Sequence, residues 1–508
     1  MKIKTSSTLP STRKIYIDEL QRMVRLFDFI AILMSMQELS SLLINQTGLN
    51  INLELEFHLV PKKKHQILLS RDFIPFLAKQ AILNSSSSPA KFNDLDLINL
   101  AYQYGNLETD LDHMNPQSKD AWLWILRATN HQWFYLRLPS MIIARYVYLF
   151  NEVFNCDQEL KSRVDKLLGL EFFNILKIGT CIWANFSPRP EGFTTSFEKN
   201  NYMHTTILQL RPLLTEDNIN KFLSIFSINQ AQFKEENKKY KLTSKLLKKY
   251  EFNPLQRYPV IKTDSRKENE KFIIPSLADF SYACFEGMYY VLLDKLESSD
   301  KEILFQKLGN AFEKYIGDLI KHYNLALFSQ ANLLSEQTYK DKTEVKSVDW
   351  LLVSNEYIFQ IECKKRKLDN YSKVGLENKN KVGISSFLTS IAKESDKFPK
   401  KENHIKDGKV EKVKYSNQKF INVIVYLDEM FAMNEYARNE IKSKMKTRGD
   451  NFYILGCYEF EILCQHVSDK HLNLKDALDD LTKKRVEIYS INFLDKIYHD
   501  FFDSILNK

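Results

Sequence analysis

The 508-residue chain contains little glycine and little proline, with 13 residues of each. Both residues interrupt regular secondary structure, and average proteins hold roughly 7% glycine and roughly 5% proline. Their scarcity, together with 44% hydrophobic and 27% charged residues, excludes collagen-like, low-complexity and wholly disordered chains. We therefore expect a folded protein rich in helix, whose length allows about two or three domains.

Cysteine is also scarce, and its spacing carries no metal-binding pattern. The six cysteines occur without a CxxC pair or a Cys/His spacing, at Cys156, Cys181, Cys284, Cys363, Cys457 and Cys464. This pattern argues against a disulfide framework and a structural zinc site, and it favours a reducing compartment such as the cytoplasm. The most apolar run, at 26–36, is short and contains Asp28, so we expect no membrane span.

A phosphate-binding loop of the GxxxxGK[ST] type is absent from the sequence. ATP-driven motors use such a loop to hold the triphosphate. We therefore do not expect an intrinsic motor, and an NTPase that works with this chain would be a separate partner chain.

The two halves of the chain differ in their hydrophobic pattern. Residues 1–250 are predicted to be mainly helical, because apolar residues recur at helical spacing. This spacing is clearest at 138–154, 158–178 and 215–227. One exception is the strict apolar and polar alternation of 51–59, followed by 66–69, which predicts a small β-hairpin.

The second half, residues 301–508, is predicted to be an α/β domain. A long helix pattern begins near residue 303 and is followed by strand-like runs. These runs lie at 348–353, 357–363, 421–427 and 452–456. Residues 251–300, which include three prolines, are predicted to connect the two halves.

The tripeptide Glu362-Cys363-Lys364 ends an apolar strand pattern, and alternation along a strand puts Glu362 and Lys364 on one face. A turn at 354–356 joins this strand to the preceding one and predicts that Asp349 pairs with residue 361. Asp349 therefore needs a one-residue shift or a bulge to share the Glu362 face. On the long upstream helix, Glu313 lies near the azimuth of the apolar stripe, where a carboxylate needs a partner or a metal.

The order of these elements and residues resembles the PD-(D/E)XK nuclease superfamily, whose core runs helix, three-stranded meander, helix, strand. The resemblance covers roughly residues 300–465, including a helix pattern at 383–392, and is nearest to restriction and phage-defence nucleases of bacteria. It implies an αβββαβ core that follows the mainly helical region with its hairpin. One departure is Val348, which stands where proline often precedes the aspartate.

This resemblance also implies that the protein is a DNA endonuclease with Mg²⁺ or Mn²⁺ as its cofactor. Double-stranded DNA is the expected substrate. Asp349 and Glu362 would hold the metal, Glu313 would serve the metal or its water shell, and Lys364 would be the catalytic lysine. The chemistry agrees with the residue types, because Mg²⁺ takes carboxylate oxygens and polarises a phosphate and a bound water. Lys364 can orient that water or stabilise charge that develops on the phosphate.

A strongly basic segment follows the candidate site. Residues 364–419 hold 16 Lys or Arg and 7 Asp or Glu, which gives +9, against +8 for the whole chain. Such a segment favours a polyphosphate partner, because neutralised phosphates release counterions. The predicted nucleic-acid contacts in it are Lys365, Arg366, Lys367, Lys400, Lys401, Lys412 and Lys414.

Two other functions stay open on the sequence alone. The chain could be a nucleic-acid-binding or assembly subunit of a defence complex with a degenerate site, or it could be an RNA nuclease. Suitable residue types at all four polar positions favour the enzyme over the subunit. The first 250 residues carry no catalytic constellation and are predicted to recognise the target or to restrain the nuclease.

Overall fold

The structure is a computed structural model of the chain. It describes residues 14–43, 50–56, 64–85, 92–113, 139–186, 208–341, 343–365, 386, 389–428, 451–483 and 491–506. Two predicted nucleic-acid contacts, Arg366 and Lys367, lie outside these residues.

The first part of the chain is helical, with one hairpin. The helices are α1 Ile17–Val24, α2 Phe29–Leu43, α3 Phe73–Asn84, α4 Asp94–Gly105, α5 Pro139–Asn155, α6 Gln158–Leu168, α7 Phe172–Asn185, α8 Glu216–Phe226 and α9 Gln230–Lys238. Strands β1 Asn50–Glu56 and β2 Lys64–Ser70 pair antiparallel, which confirms the predicted hairpin.

Residues 227–295 form a small sheet and, besides α9, three more helices. The strands are β3 Ser227–Asn229, β4 Val260–Lys262 and β5 Phe272–Ile273, and the helices are α10 Glu268–Lys271, α11 Leu277–Cys284 and α12 Met288–Lys295. Much of the predicted connector is therefore regular structure, and Leu255, Ile261 and Phe280 within it are fully buried.

The predicted α/β half contains the largest sheet. Its helices are α13 Ser298–His322, α14 Leu325–Phe328, α15 Phe398–Lys406, α16 Cys457–Lys470, α17 Leu474–Lys483 and α18 Asn492–Leu506. Its strands are β6 Asn332–Ser335, β7 Thr338–Lys340, β8 Glu344–Lys346, β9 Trp350–Val353, β10 Tyr357–Lys364, β11 Lys419–Tyr426 and β12 Phe452–Gly456. The four predicted strand runs match β9, β10, β11 and β12 to within two residues at each end.

The main sheet has the strand order β12-β11-β10-β9-β6. Strands β6, β9 and β10 are antiparallel neighbours, whereas β11 runs parallel to β10 and β12 runs parallel to β11. A parallel neighbour needs a crossover connection, and the chain between β10 and β11 includes helical residues 389–395 and α15. The protein is thus mixed α/β, with helices first and the main mixed sheet in the C-terminal part.

The two faces of the main sheet bury different side chains. On one face, Phe359, Ile361 and Cys363 join the core that contains α13. On the other face, Ile358 and Ile424 join a smaller core with the α15 residues Phe398 and Ile405. The predicted alternation of strand β10 is confirmed, and Glu362 and Lys364 take the side of the sheet that α15 covers.

One hydrophobic core extends from Met141 to Ile505 and includes helices on both sides of the predicted connector. Helix α5 packs on α13 and on α18. A second core holds buried apolar residues of α1, α2, α3 and α4 together with apolar residues of β3, β4 and β5. The predicted domain boundaries at residues 250 and 300 stay a prediction. Helices α5, α6 and α7 share one hydrophobic core with the main sheet.

The predicted helical spacing at 158–178 is confirmed, and it belongs to two helices, α6 and α7. Gly169 ends α6 with a φ of 70°, a left-handed conformation that favours glycine. Together, α6 and α7 are long and apolar enough for a membrane span, but the two helices meet at an angle of 59°. Within the described residues, no single helix is long and apolar enough to cross a bilayer.

Candidate active site

The pairing of β9 with β10 sets the site, and its register differs by one residue from that of a hairpin that turns at 354–356, which is the shift that Asp349 needs to share the Glu362 face. Val353 pairs with Ile358, and Trp350 pairs with Ile361. The turn is shorter than expected, because the Ser354 N–H already donates to the Tyr357 carbonyl at 2.9 Å. Continuing this register puts Asp349 opposite Glu362, and residues directly opposite in an antiparallel pair share a face.

Asp349 lies just before β9, where the strand ladder ends. Its Oδ2 accepts a hydrogen bond of 2.6 Å from the backbone N–H of Cys363. Burial, and then the negative charges of Glu362 and Glu313, raise the pKa of Asp349 to about 7, although the Cys363 N–H acts in the opposite direction. The like charges around Asp349 are therefore not fully neutralised by the protein.

Glu362 is the most heavily paired carboxylate of the group. Its side chain is 11% exposed, its Oε1 accepts from Lys364 Nζ at 2.7 Å, and its Oε2 accepts from Lys401 Nζ at 3.0 Å. Two ammonium groups therefore hold the two oxygens of one carboxylate. Lys401 also donates to the Ser347 carbonyl at 3.1 Å.

Lys364 lies between two carboxylates, because Glu394 Oε2 is 3.2 Å from its Nζ. Burial by itself would lower the pKa of Lys364, but the charges of Glu362, Glu394 and Asp349 raise it well above its usual value. These carboxylates therefore favour the protonated, positively charged form of Lys364.

Glu313 comes from helix α13, which packs on the opposite face of the sheet. Trp350 fixes this helix, because its Nε1 donates to the Glu313 carbonyl at 2.9 Å. A Cβ on Gly317 would lie only 2.0 Å from the Trp350 ring, so this glycine makes space for the indole. Burial, and then the charges of Glu336 and Glu362, raise the pKa of the Glu313 carboxyl.

The predicted nucleic-acid lysines separate into three groups. Lys400, Lys412 and Lys414 are exposed. Lys401 belongs to the site through Glu362. Lys365 folds back on α13, where its Nζ donates to the Phe305 carbonyl and its chain lies against Gly309, and burial lowers the pKa of its ammonium.

Sequence reasoning missed two members of this cluster. Glu394 precedes α15 and pairs with both Lys364 and Lys397. Burial raises its pKa, but these two lysines outweigh burial and lower it. Lys401 was grouped with the basic segment, and no spacing in the sequence links it or Glu394 to Glu362 across more than 30 residues.

The oxygen donors of this site suit a divalent cation, but the ammonium groups of Lys364 and Lys401 contact the Glu362 oxygens that such a cation would bind. Mg²⁺ and Mn²⁺ take carboxylate and carbonyl oxygens, which Asp349, Glu362 and Ser347 supply here. Among the described residues, however, no group of three His, Cys, Asp or Glu side chains is arranged to hold a metal ion. A cation at Glu362 would have to displace an ammonium group.

The arrangement thus combines a partly uncompensated group of carboxylates with two cationic lysines at the end of the central strands. Such a site can attract a cation to its carboxylates and a phosphate to its ammonium groups. No protein-family model, curated protein or solved structure matches the chain.

Proposed function

We propose that this protein is a metal-dependent endonuclease of the PD-(D/E)XK type that hydrolyses phosphodiester bonds in DNA. The observation that carries the proposal is the β9–β10 register, which brings Asp349 next to Glu362 when it is continued by one residue, together with the pairing of Lys364 with Glu362 on the same strand. The order of helix α13, three antiparallel strands, a helical connection and a parallel strand agrees with the resemblance that the residues first indicated.

Each side chain has a separate role in this proposal. Asp349 and Glu362 would hold Mg²⁺ or Mn²⁺, and Glu313 would act on its water shell. When bound, the cation supplies Lewis acidity toward the scissile phosphate and a bound water. Lys364 donates hydrogen bonds to the phosphate or to the attacking water and stabilises the charge that develops there. The carboxylates around Lys364 raise its pKa and so favour the ammonium form that this role needs.

The exposed lysines Lys400, Lys412 and Lys414 would contact the nucleic-acid backbone. They lie on or after α15, the helix that also carries Lys401. Such contacts add affinity and orientation without reading the base sequence. The proposal therefore includes a cutting site and an adjacent basic surface, and it makes no statement about sequence preference.

The experiment is a cleavage assay with purified full-length protein on plasmid DNA, linear duplex DNA and RNA, each with Mg²⁺, with Mn²⁺ and with EDTA. We expect DNA to be cut only when a divalent cation is present, and the Asp349→Asn and Glu362→Gln variants to be inactive. The variant Glu356→Gln is a control, because Glu356 lies in the exposed turn at the far end of the same hairpin. Undiminished cutting by Glu362→Gln would refute the proposed site, and cutting of RNA alone would make the protein an RNA nuclease.

A second function is favoured by one observation, the pairing of both Glu362 oxygens with lysines. If these ion pairs persist in the presence of a cation, the chain would be a non-catalytic subunit that binds nucleic acid. Binding of DNA without cleavage under all three conditions would support this alternative. A role in bacterial defence follows only from the resemblance, and a phage challenge of cells that carry the Lys364→Met variant would test it.

A further inference from the structure

The ammonium group of Lys401 contacts two oxygen atoms of the protein. Its Nζ is 3.0 Å from Glu362 Oε2 and 3.1 Å from the backbone carbonyl of Ser347. The Lys401 side chain is 16% exposed and the Glu362 side chain is 11% exposed. A carboxylate oxygen and a carbonyl oxygen are ligands that hard divalent cations take.

We propose that Lys401 is a built-in cation that occupies one side of the metal site and is exchanged for the divalent metal. This inference rests on the proposed function, because it concerns the same carboxylates. Lys401 would hold the Glu362 and Ser347 oxygens while the site is empty of metal. The metal would take over these oxygens and release the lysine.

The charges around Glu362 explain why the resting site needs such a group. Asp349 and Glu313 act on each other and on Glu362 as like charges. Among the described residues, neither Asp349 nor Glu313 has an ion-pair partner, whereas Lys364 and Lys401 both pair with Glu362. Without Lys401, one Glu362 oxygen would be left buried with its charge reduced only by Lys364, which also serves Glu394.

Lys364 and Lys401 are not equivalent in this exchange. Lys364 is on β10 itself and is held by a second carboxylate, Glu394. Lys401 is on α15, and its second partner is a neutral carbonyl. Lys401 is therefore the ammonium group that a divalent cation displaces at lower cost, because it gives up one carboxylate contact and one carbonyl contact.

The exchange makes the binding of metal and the position of Lys401 mutually exclusive. Two cations cannot share the Glu362 oxygen and the Ser347 carbonyl without strong repulsion. Removal of the Lys401 charge should therefore increase the affinity of the site for metal, whereas a lysine that stabilised bound metal or substrate would have the opposite effect. The released ammonium group would lie next to Lys400 on the same helix, where a phosphate could accept its hydrogen bonds.

The test is calorimetric titration of Mn²⁺ into the EDTA-treated and dialysed full-length protein, without nucleic acid. We expect Lys401→Met to bind Mn²⁺ about five- to fifty-fold more tightly than the wild type, the size of a typical coupling between sites. Lys406→Met is the matched control, since it removes the same charge from the same helix at an exposed position and should leave the affinity within about twofold. Glu362→Gln should abolish the binding in both backgrounds.

Thermal unfolding provides a second readout that does not depend on activity. In EDTA, Lys401→Met should unfold at a lower temperature than the wild type, because a buried carboxylate loses a partner. Saturating Mn²⁺ should remove most of this difference, since a ligand that binds only the folded state stabilises it. Lys401→Arg, which keeps the charge, should have the weak metal affinity of the wild type.

Two failures are distinguishable. If the wild type binds Mn²⁺ through Glu362 and Lys401→Met binds it equally or more weakly, the exchange is refuted while the proposed function stands. If neither protein shows binding that depends on Glu362, the metal site is refuted and the proposed function falls with it. A destabilised Lys401→Met protein that Mn²⁺ does not rescue would also overturn the exchange, because Lys401 would then be only a structural partner of Glu362.

Discussion

Two buried groups of charges in this molecule differ in how completely they are satisfied. Arg145 on α5 binds Glu461 on α16 through two hydrogen bonds, at 2.8 Å and 2.6 Å. Tyr315 on α13 adds a third bond to the same carboxylate at 2.6 Å. The side chains of Arg145 and Glu461 are 3% and 0% exposed, so this ion pair is shielded from bulk solvent and its two charges oppose each other.

The cluster at Glu362 has the opposite character. It combines three carboxylates that repel one another, and the pKa of Asp349 is raised to about 7 by burial and by these neighbours. Its lysines are partly exposed, 27% for Lys364 and 16% for Lys401. A balanced pair fastens helices together, whereas an unbalanced and accessible group is the kind of arrangement that binds ions and performs chemistry.

The largest expected difference between the clusters is in activity. Under the proposed function, Lys364→Met should reduce DNA cleavage by about a thousandfold or more, because the positive charge proposed to act on the reacting phosphate is lost. Its free energy of unfolding should change by less than about 2 kcal/mol, because Lys401 still pairs with Glu362. Cleavage rates and urea unfolding of the same preparation provide both values.

Lys397→Met is the matched control for Lys364→Met. Lys397 also pairs with Glu394, but its side chain is exposed, and it should retain activity within about twofold. A fully active Lys364→Met protein would contradict the functional difference between the two clusters, since the Glu362 cluster would then be structural as well.

The next effect concerns stability at the balanced cluster. Arg145→Met should lower the free energy of unfolding by about 3 to 5 kcal/mol, because it leaves the Glu461 charge buried without its partner. The double variant Arg145→Met with Glu461→Leu should recover much of this loss. Urea unfolding at neutral pH measures both, and equal losses in the single and double variants would contradict this account.

A smaller effect is a dependence of stability on pH at the unbalanced cluster. The folded-state pKa of Asp349 is raised above its value in the unfolded chain, so the folded state binds the proton more tightly. The contribution of Asp349 to stability is therefore present at low pH and is lost as pH rises from about 4 to about 7. In EDTA, this loss should amount to about 4 kcal/mol at most.

Asp349→Asn isolates this effect, because asparagine does not titrate. The melting temperature of the variant relative to the wild type should rise between pH 5 and pH 8 when both are measured in EDTA. Addition of Mn²⁺ should reverse the order at pH 8, because the cation stabilises the charged carboxylate only in the wild type. A constant difference across this pH range would show that Asp349 is not perturbed.

The smallest effect concerns the exposed lysines. Replacement of Lys400, Lys412 and Lys414 by glutamine should reduce the slope of log affinity against log salt by about 0.9 for each phosphate contact that is lost. Lys409→Gln is the control, because Lys409 already pairs with Asp341 at 2.9 Å and should leave the slope unchanged. Binding is measured in EDTA at several salt concentrations, and an unchanged slope for the triple variant would make these lysines a solvated surface.

The strands and their faces could be predicted because they depend on local pattern. Strand β10 has apolar residues at alternate positions, so the face shared by Glu362 and Lys364 follows from two-residue periodicity. The position of Asp349 opposite Glu362 could not be predicted with certainty. It depends on whether the turn holds two residues or three, and a change of one residue moves every side chain to the other face.

Glu394 and Lys401 show where sequence reasoning ends for this site. Both lie in a charge-rich stretch in which no periodic pattern distinguishes an inward lysine from an outward one. Lys400 and Lys401 are neighbours in sequence, yet one is exposed and the other reaches Glu362. The 100° rotation between adjacent helical residues separates them, and only the packing of α15 on the sheet decides which of them turns inward.

The sequence by itself determined the composition class, the hairpin, four of the five described strands of the main sheet and the face that carries Glu362 and Lys364, because each of these follows from residue type and short-range periodicity. Tertiary structure alone decided the β9–β10 register, the pairing of both Glu362 oxygens, the return of Lys365 to Phe305 and the joining of α5 to α13 and α16 through Arg145 and Glu461. These features depend on contacts between residues far apart in the chain. Such contacts form when whole elements pack, and packing is set by the volume and charge of the assembled core.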